Sequence, residues 1–528
     1  LVAQPHHLSV HPGGTVIAPT AITDFVAVQM APKGFLITQL DHRDVEEIGL
    51  PKLDLHGISA LTVLADAADL VRRTVDPAFR AVSIPLNDPN TAAMIAKGDT
   101  VGVFQCESTG ARATLRKLNA RTIRDMAVAN AFFKPGPATG GMADEFVRRY
   151  RGEAPVSYLH PKLEPILSGT KGVLLFQEQV MRVATEIAGL TWAQANQIRK
   201  GMSKFRPDDI AQLRETFIAG CQQADGAGFS AAQAETLWEQ VAAFAGYGFN
   251  QGHATAYAGT SYRMAYMKLH FPAQFFTARL ATHGGFHHPA VYIAEARRLG
   301  LTVRGPHINF SGRRFSLVDD VLWMGLGWVR SLRRRTITSI LLERKNAAFT
   351  GLRDFASRIS LQKKELAHLI QCGALDGLGE NRASMLADAE ALPLTGGGGG
   401  VQLSLPLERA PIAAEAAAQR VRWELELLGM PVNVHPLDAL SAADGVSRLA
   451  AVVASGKRGT AAGVRLPGWT GTSGFYFADR EIYVVAKPVD GVAVPKPWQP
   501  ISARGIWRED EFGNGYFQAE QIVYFQER

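Results

Sequence analysis

The stretch AGYGFNQGHATAYAGTSYRMAYMKLHFPAQF, residues 245–275, is where the reading of this chain begins. A glycine-punctuated turn, Gly246-Tyr247-Gly248-Phe249-Asn250-Gln251-Gly252, gives way to a run without breakers from His253 to Phe271. Asn250 is an N-cap by type and Pro272 a stop, so the spacing predicts one long helix. Ala254, Tyr257, Ala258, Ser261, Ala265 and Lys268 fall on one face of it, mostly small side chains that permit close packing. Gln251 and His253 sit in the first turn, where N–H groups without intrahelical partners can meet phosphate oxygens. A buried helix behind a polar turn has the same pattern, and this stretch alone does not separate the two.

Outward from that stretch, 528 residues are too many for one core, and three or more domains are expected. A hydrophobic share of 47% with 20% charged residues is that of an ordinary globular chain. The net charge of +7 suits a polyanionic partner without requiring one. Cys106, Cys221 and Cys372 are few and far apart, which argues for a reducing compartment, the cytoplasm, and against a disulfide framework or a cysteine zinc site. Nothing reads as a membrane span or a secretion signal, so no membrane partner is expected. The chain opens on Leu1 rather than Met, and a fragment of a longer protein is expected.

Residues 1–58 read as β-rich. In Pro51-Lys52-Leu53-Asp54-Leu55-His56, strand alternation puts Leu53 and Leu55 toward a core and Lys52, Asp54 and His56 on the other face. A carboxylate two residues from an ammonium can serve phosphoryl chemistry, Asp54 toward a divalent metal and Lys52 toward a phosphate oxygen. An ordinary half-exposed strand with a solvated ion pair has the same sequence. Residues 59–285 are mostly helical by spacing. Within them Phe132-Phe133-Lys134-Pro135-Gly136-Pro137 is a rigid turn presenting one cation, and Ile198 to Arg206 carries four cations, which on a surface helix can simply be solvated.

The order of motifs, rather than any one of them, resembles the bacterial C-family DNA polymerases, the alpha subunit of DNA polymerase III and its error-prone relatives. HPGGTVIAP (11–19), LPKLDLHGISALTVL (50–64), TVGVFQCES (100–108), FFKPGPATGGM (132–142), LLFQEQVM (174–181), IRKGMSK (198–204), the 245–262 turn and helix, CGALDGLGENR (372–382) and WELELLGMPVNVHPLD (423–438) follow one another collinearly. The resemblance implies a multidomain α+β fold. Its parts are the end of a palm sheet (1–58), large helical fingers (59–285), a duplex-binding helix-hairpin-helix region (286–390), a glycine-rich linker with a clamp-binding peptide (391–412), a connector helix (413–442) and an OB-like β-barrel (443–528).

Several residue roles come with the resemblance. Asp54 matches one of three palm acids around a two-metal Mg2+ site, and Lys52 a lysine that contacts the incoming deoxynucleoside triphosphate. Lys134, where the family usually has Arg, and Arg199, Lys200, Asn250, Gln251 and His253 match the nucleotide or template pocket. The acidic pair that normally bridges both metals lies in a PDFDVDF-like segment of the family, and no such segment occurs in the sequence. This chain alone is therefore expected not to polymerise DNA, and a non-catalytic DNA- and clamp-binding paralogue is the alternative. The FNQGH turn points to the replicative type and the short C-terminus to the error-prone one.

In the duplex-binding region, Ser331-Leu332-Arg333-Arg334-Arg335 stands where relatives have hairpin glycines, so phosphate affinity there would rest on Arg333, Arg334 and Arg335 rather than on a backbone clasp. A second hairpin keeps Gly377 and Gly379. Five glycines, Gly396 to Gly400, form a flexible tether, and the peptide after it, Gln402, Leu403, Ser404, Leu405, Pro406 and Leu407, resembles those that dock in the bacterial sliding clamp. From Leu449 onward, AAVVAS, GTAAGVRL, GFYFAD, EIYVVAK, PISARGIWRE and YFQAEQIVYFQ read as five or six strands. Trp469, Phe475, Tyr476 and Phe477 are available there for stacking on single-stranded template, but a barrel core would use the same residues, and Phe477 is expected to serve the core. Primed DNA, deoxynucleoside triphosphates, the clamp and other replisome subunits are the expected partners.

Overall fold

A computed structural model describes residues 10–11, 13–55, 57–132, 142–200, 207–223, 228–244, 249–282, 284–392, 412–440, 447–471 and 474–525. Two compact units partition the chain, Leu1–Thr62 and Val63–Arg528. The fold is mixed α+β and multidomain, with helical fingers, a helix-hairpin-helix region and a closed barrel.

In the first unit, Gly14–Val16 pairs antiparallel with Lys52–Asp54, and Val28–Met30 with Leu36–Thr38. The glycines of HPGG matter here because Leu55 N–H donates to the Gly13 carbonyl at 2.7 Å. A Cβ at Gly13 would lie 2.2 Å from the Leu55 oxygen, so only glycine tolerates this backbone approach. The core of the unit is Val26, Val45 and Leu50. Leu53 is 51% exposed and Leu55 67%, contrary to the alternation expected of them. A two-stranded ribbon supplies no second layer of its own, so alternation alone does not bury that face.

In the second unit, helix Gln251–His270 is the axis of one helical bundle. Its small face does what the spacing predicts: Ala254, Ala258, Ser261, Ala265 and Lys268 are buried, and Ile123–Phe132 packs along it. Ser261 Oγ donates to the Phe104 carbonyl at 2.7 Å, which holds the 100–106 loop against the helix. Pro272 does not merely stop the helix. It opens the next one, Pro272–Ala281, at the position where its missing N–H costs nothing. A separate core, including Leu167, Val183, Ile187, Phe217, Leu237 and Trp238, lies among the helices between 161 and 244.

Residues 300–391 contain a three-stranded sheet, in the order Thr302–Arg304, Val321–Trp323, Ser316–Val318, and two hairpins. The barrel has five strands: Gly459–Leu466, Phe475–Ala478, Tyr483–Pro488, Pro500–Glu509 and Gly515–Tyr524. The segment AAVVAS, expected as a sixth, is helix Leu449–Ser455, whose Leu449 and Val452 join the barrel core. Asp479 accepts from Leu449 N–H at 2.9 Å and so caps that helix, a tertiary contact that overrides valine's strand preference.

The barrel is fastened to the helical bundle through buried charge. Lys268 is 1% exposed, and its Nζ donates to Glu295 Oε1 at 2.6 Å and to the Asp99 carbonyl at 3.0 Å. Arg298 bridges the same two acids, and barrel Tyr483 donates its hydroxyl to Glu295 Oε2 at 2.9 Å. Burial works to raise the Glu295 carboxyl, but Lys268 and Arg298 overcome it and hold the group ionised, well below the usual carboxylate range. No helix among the described residues is long and apolar enough to cross a membrane.

Candidate functional site

The residues singled out in the helical bundle come together from three remote segments. Phe176 and Phe249 form a parallel bridge, in which Gln177 N–H donates to the Phe249 carbonyl at 3.0 Å. Buried Gln179 shapes the first segment, since its Oε1 accepts from the N–H groups of Leu175 and Phe176 at 2.9 and 3.0 Å. The bridge sets helix Gln177–Arg182 beside the start of helix Gln251–His270. Arg199, on helix Trp192–Lys200, completes the group: its Nη1 donates to Gln177 Oε1 at 3.3 Å and its Nε to Asn196 Oδ1 at 2.9 Å. Lys200 is exposed at the end of that helix.

Asn250 is the N-cap expected of it, accepting from His253 N–H on Oδ1 at 2.7 Å. The first turn nevertheless differs from the open phosphate cradle that its position suggests. Glu178 Oε2 accepts from Gln251 N–H at 2.8 Å, while Asn250 Nδ2 donates to Glu178 Oε1 at 2.8 Å. With two of the helix's leading N–H groups already engaged, an anion here has to be held mainly by side chains. Gln251 and His253 are exposed, and the His253 ring lies 3.9 Å from that of Tyr257. Glu178 is the residue that the sequence reading missed. Its place beside Gln177 and Gln179 after an apolar run was visible, but not its partner 72 residues away.

In the first unit, Lys52 Nζ pairs with Asp54 Oδ1, and His11 Nδ1 lies 3.8 Å from the same oxygen. His56, on the same predicted face, lies outside the described residues, as do Lys134 and the peptide Gln402, Leu403, Leu405, Pro406 and Leu407. Asp54 has the chemistry of a Mg2+ ligand, but one carboxylate does not make a two-metal centre. Among the described residues, no group of three His, Cys, Asp or Glu side chains is arranged to hold a metal ion. The donors among the described residues do not complete a Mg2+ site.

The two hairpins differ in their chemistry. In the first, Ser331 adopts φ +64°, a left-handed conformation that glycine takes more easily, and the turn forms with serine there. Arg333 does not project freely: its N–H and Nε donate to Glu365 Oε1 at 3.0 and 2.8 Å, and its Nη2 pairs with Oε2. Burial pushes the Glu365 carboxyl up, yet donors from Arg333, Gln362 and Thr336 outweigh it and bring it to about 2. Arg334 and Arg335 are exposed at the start of helix Arg334–Glu343.

The second hairpin runs from Lys363–Gln371 to Arg382–Ala391 through Gly373 and Gly377, at φ +83° and +84°. Arg382 is 1% exposed and forks onto both Asp376 oxygens at 2.8 and 2.6 Å. Gly379 packs so closely on Met385 that a Cβ would come within 2.7 Å of it. Glu415 Oε2 accepts from Ala383 N–H at 3.0 Å and Asn381 Oδ1 from Ser384 N–H at 2.7 Å, which fills the leading amides of the second helix.

Of the barrel aromatics, Phe475, Tyr476 and Phe477 are buried, and Tyr476 OH lies 3.4 Å from His287 Nδ1. They are core and junction residues in this structure. Trp469 is 67% exposed, with its ring 6.5 Å from that of Phe286. The Asp510–Asn514 turn meets the helical bundle, where Lys117 Nζ and Arg151 Cζ lie 5.7 and 5.4 Å from the Phe512 ring centre.

Comparison with known families matches three segments of this architecture. Residues 1–57 match the bacterial DNA polymerase III alpha NTPase domain, 60–225 the bacterial DNA polymerase III alpha subunit finger domain, and 300–385 a helix-hairpin-helix motif. DNA polymerase III subunit alpha of Thermus aquaticus is 35% identical over 451 residues, covering 82% of this chain and 36% of the relative. That of Pseudomonas aeruginosa is 38% identical over 385 residues, 70% of this chain and 33% of the relative. For Bacillus subtilis the figures are 31% over 450 residues, 82% and 40%. The chain thus spans little more than a third of the length of these relatives. The three matched segments, on the first unit, the helical fingers and the hairpin region, follow one another in order, and this chain carries domains of the bacterial DNA polymerase III alpha family.

Proposed function

We propose that this chain serves template-directed DNA synthesis by binding primed template DNA and the incoming deoxynucleoside triphosphate. The observation that carries this is the convergence of Arg199, Gln177, Asn250, Gln251 and His253 from three segments onto one helix start. Arg199, Lys200, Gln251 and His253 bind the triphosphate, Asn250 orients the turn, and Lys134 adds a further cation. Lys52 contacts a phosphate oxygen, and Asp54 is one of the carboxylates of a Mg2+ site whose other acids are not among these 528 residues. By itself the chain binds without polymerising.

The division of labour follows the sequence boundaries: palm end 1–58, fingers 59–285, duplex binding 286–390, tether 391–412, connector 413–442 and OB-like barrel 443–528. Arg334 and Arg335 bind duplex phosphates, while Arg333, held by Glu365, and the turn glycines Gly377 and Gly379 shape the two hairpins. Gln402, Leu403, Leu405, Pro406 and Leu407 dock in a sliding clamp, and the tether raises the local concentration of the DNA sites. The setting is the cytoplasm, in replication or repair synthesis, with other replisome subunits as further partners.

The test measures dissociation of the full chain from a labelled primer–template in buffer containing Mg2+, with each deoxynucleoside triphosphate in turn. The nucleotide complementary to the next template base should slow dissociation and the other three should not. Equal dissociation with all four would overturn the proposal.

A further inference from the structure

We propose that Glu178 is a positioning residue for the incoming nucleotide, the clasp that sets Asn250 and the first turn of helix Gln251–His270 against Gln177 and Arg199. This inference rests on the nucleotide reading above and adds to it a residue that does not itself touch the ligand.

The geometry is specific. One carboxylate bridges two successive residues, taking the side-chain amide of Asn250 on Oε1 and the backbone N–H of Gln251 on Oε2, both at 2.8 Å. Asn250 in turn holds His253 N–H through its other amide atom, so the planar group is fixed at both ends. Gln177, the neighbour of Glu178, accepts from Arg199 at 3.3 Å. A displacement of helix Gln177–Arg182 would therefore shift the cation and the helix start together. Bonds to an ionised group are the stronger kind, and two bonds from one rigid group fix orientation as well as distance. Because both oxygens have donors, the carboxylate faces the turn, and its charge also offsets the positive end of the helix. Anion binding then depends on Arg199, Lys200, Gln251 and His253.

The clasp can be inverted without changing its shape. In E178Q the new Nε2 faces Asn250 Nδ2, donor against donor, while in N250D two carboxylates face each other. In the E178Q/N250D pair the Gln amide donates to the Asp carboxylate and its oxygen still accepts from Gln251 N–H. The experiment measures the affinity of the full chain, loaded on primed template, for the complementary deoxynucleoside triphosphate by fluorescence anisotropy. Each single variant should bind the nucleotide about tenfold more weakly, the scale of one or two charged hydrogen bonds. The double variant should return close to wild type. DNA affinity and melting temperature should stay constant throughout, a split that a purely structural role would not produce. Wild-type affinity in both single variants, or a double variant as weak as N250D, would overturn the inference alone. A wild-type chain that binds no nucleotide would overturn the nucleotide reading itself, and the clasp with it.

Discussion

The two hairpins of the 300–391 region have opposite virtues. The second keeps its glycines, at φ +83° and +84°, and looks from sequence like the better phosphate clasp. Yet its leading helical amides are filled by Glu415 and Asn381, and its arginine, Arg382, is buried on Asp376. The first has no glycine at that position, makes the turn through Ser331 at φ +64°, and exposes Arg334 and Arg335. Glycine content therefore does not decide whether the turn forms, since Ser331 takes the left-handed position in the first hairpin. Where the neighbouring carboxylates point decides what the turn leaves for an anion. The same holds at the start of helix Gln251–His270, where Glu178 takes the N–H that the sequence offers to phosphate.

The hardest way to break the comparison is to remove Arg382. In Arg382→Ala, Asp376 loses its fork and buried Glu424, 3.6 Å from the guanidinium, loses its nearest cation. Breaking one side of a buried pair costs about 3 kcal/mol or more. Denaturant unfolding of the full chain should show that loss at the second hairpin, whereas an unchanged midpoint would mean that the arginine carries no structural load. A milder change sharpens the other side of the contrast. Ser331→Gly removes the Cβ from a left-handed backbone position and should stabilise the chain by about 1 kcal/mol. A lower unfolding midpoint for this variant would show that the serine is not strained.

Much of the fold is legible in the sequence because local signals and packing agree. The Asn250 cap and the small face from Ala254 to Lys268 both specify one close-packed helix, and the structure has it. Legibility fails where a neighbour decides. Leu449–Ser455 is a short apolar run that fits strand or helix equally, and a capping carboxylate thirty residues on settles it. Phe475–Ala478 is buried on both faces, so it lacks the alternation that would separate its core side from its junction side. Leu53 and Leu55 alternate as a half-buried strand would, yet both are exposed. At the candidate site, motifs single out Arg199, Asn250, Gln251 and His253 as candidates. The hydrogen bond between Glu178 and Asn250 is not legible, because nothing in the order of residues ties the two until the chain folds.

The measurement that tests the account most directly is the affinity of the full chain for primed duplex DNA over a range of salt concentrations, for wild type and for the variant R334A/R335A. Each phosphate contact contributes about 0.9 to the slope of log affinity against log salt. Wild type should show a steep decline, and R334A/R335A a decline shallower by about two contacts, while G377A keeps the wild-type slope. A flat wild-type response, or a slope lost in G377A and retained in R334A/R335A, would contradict it.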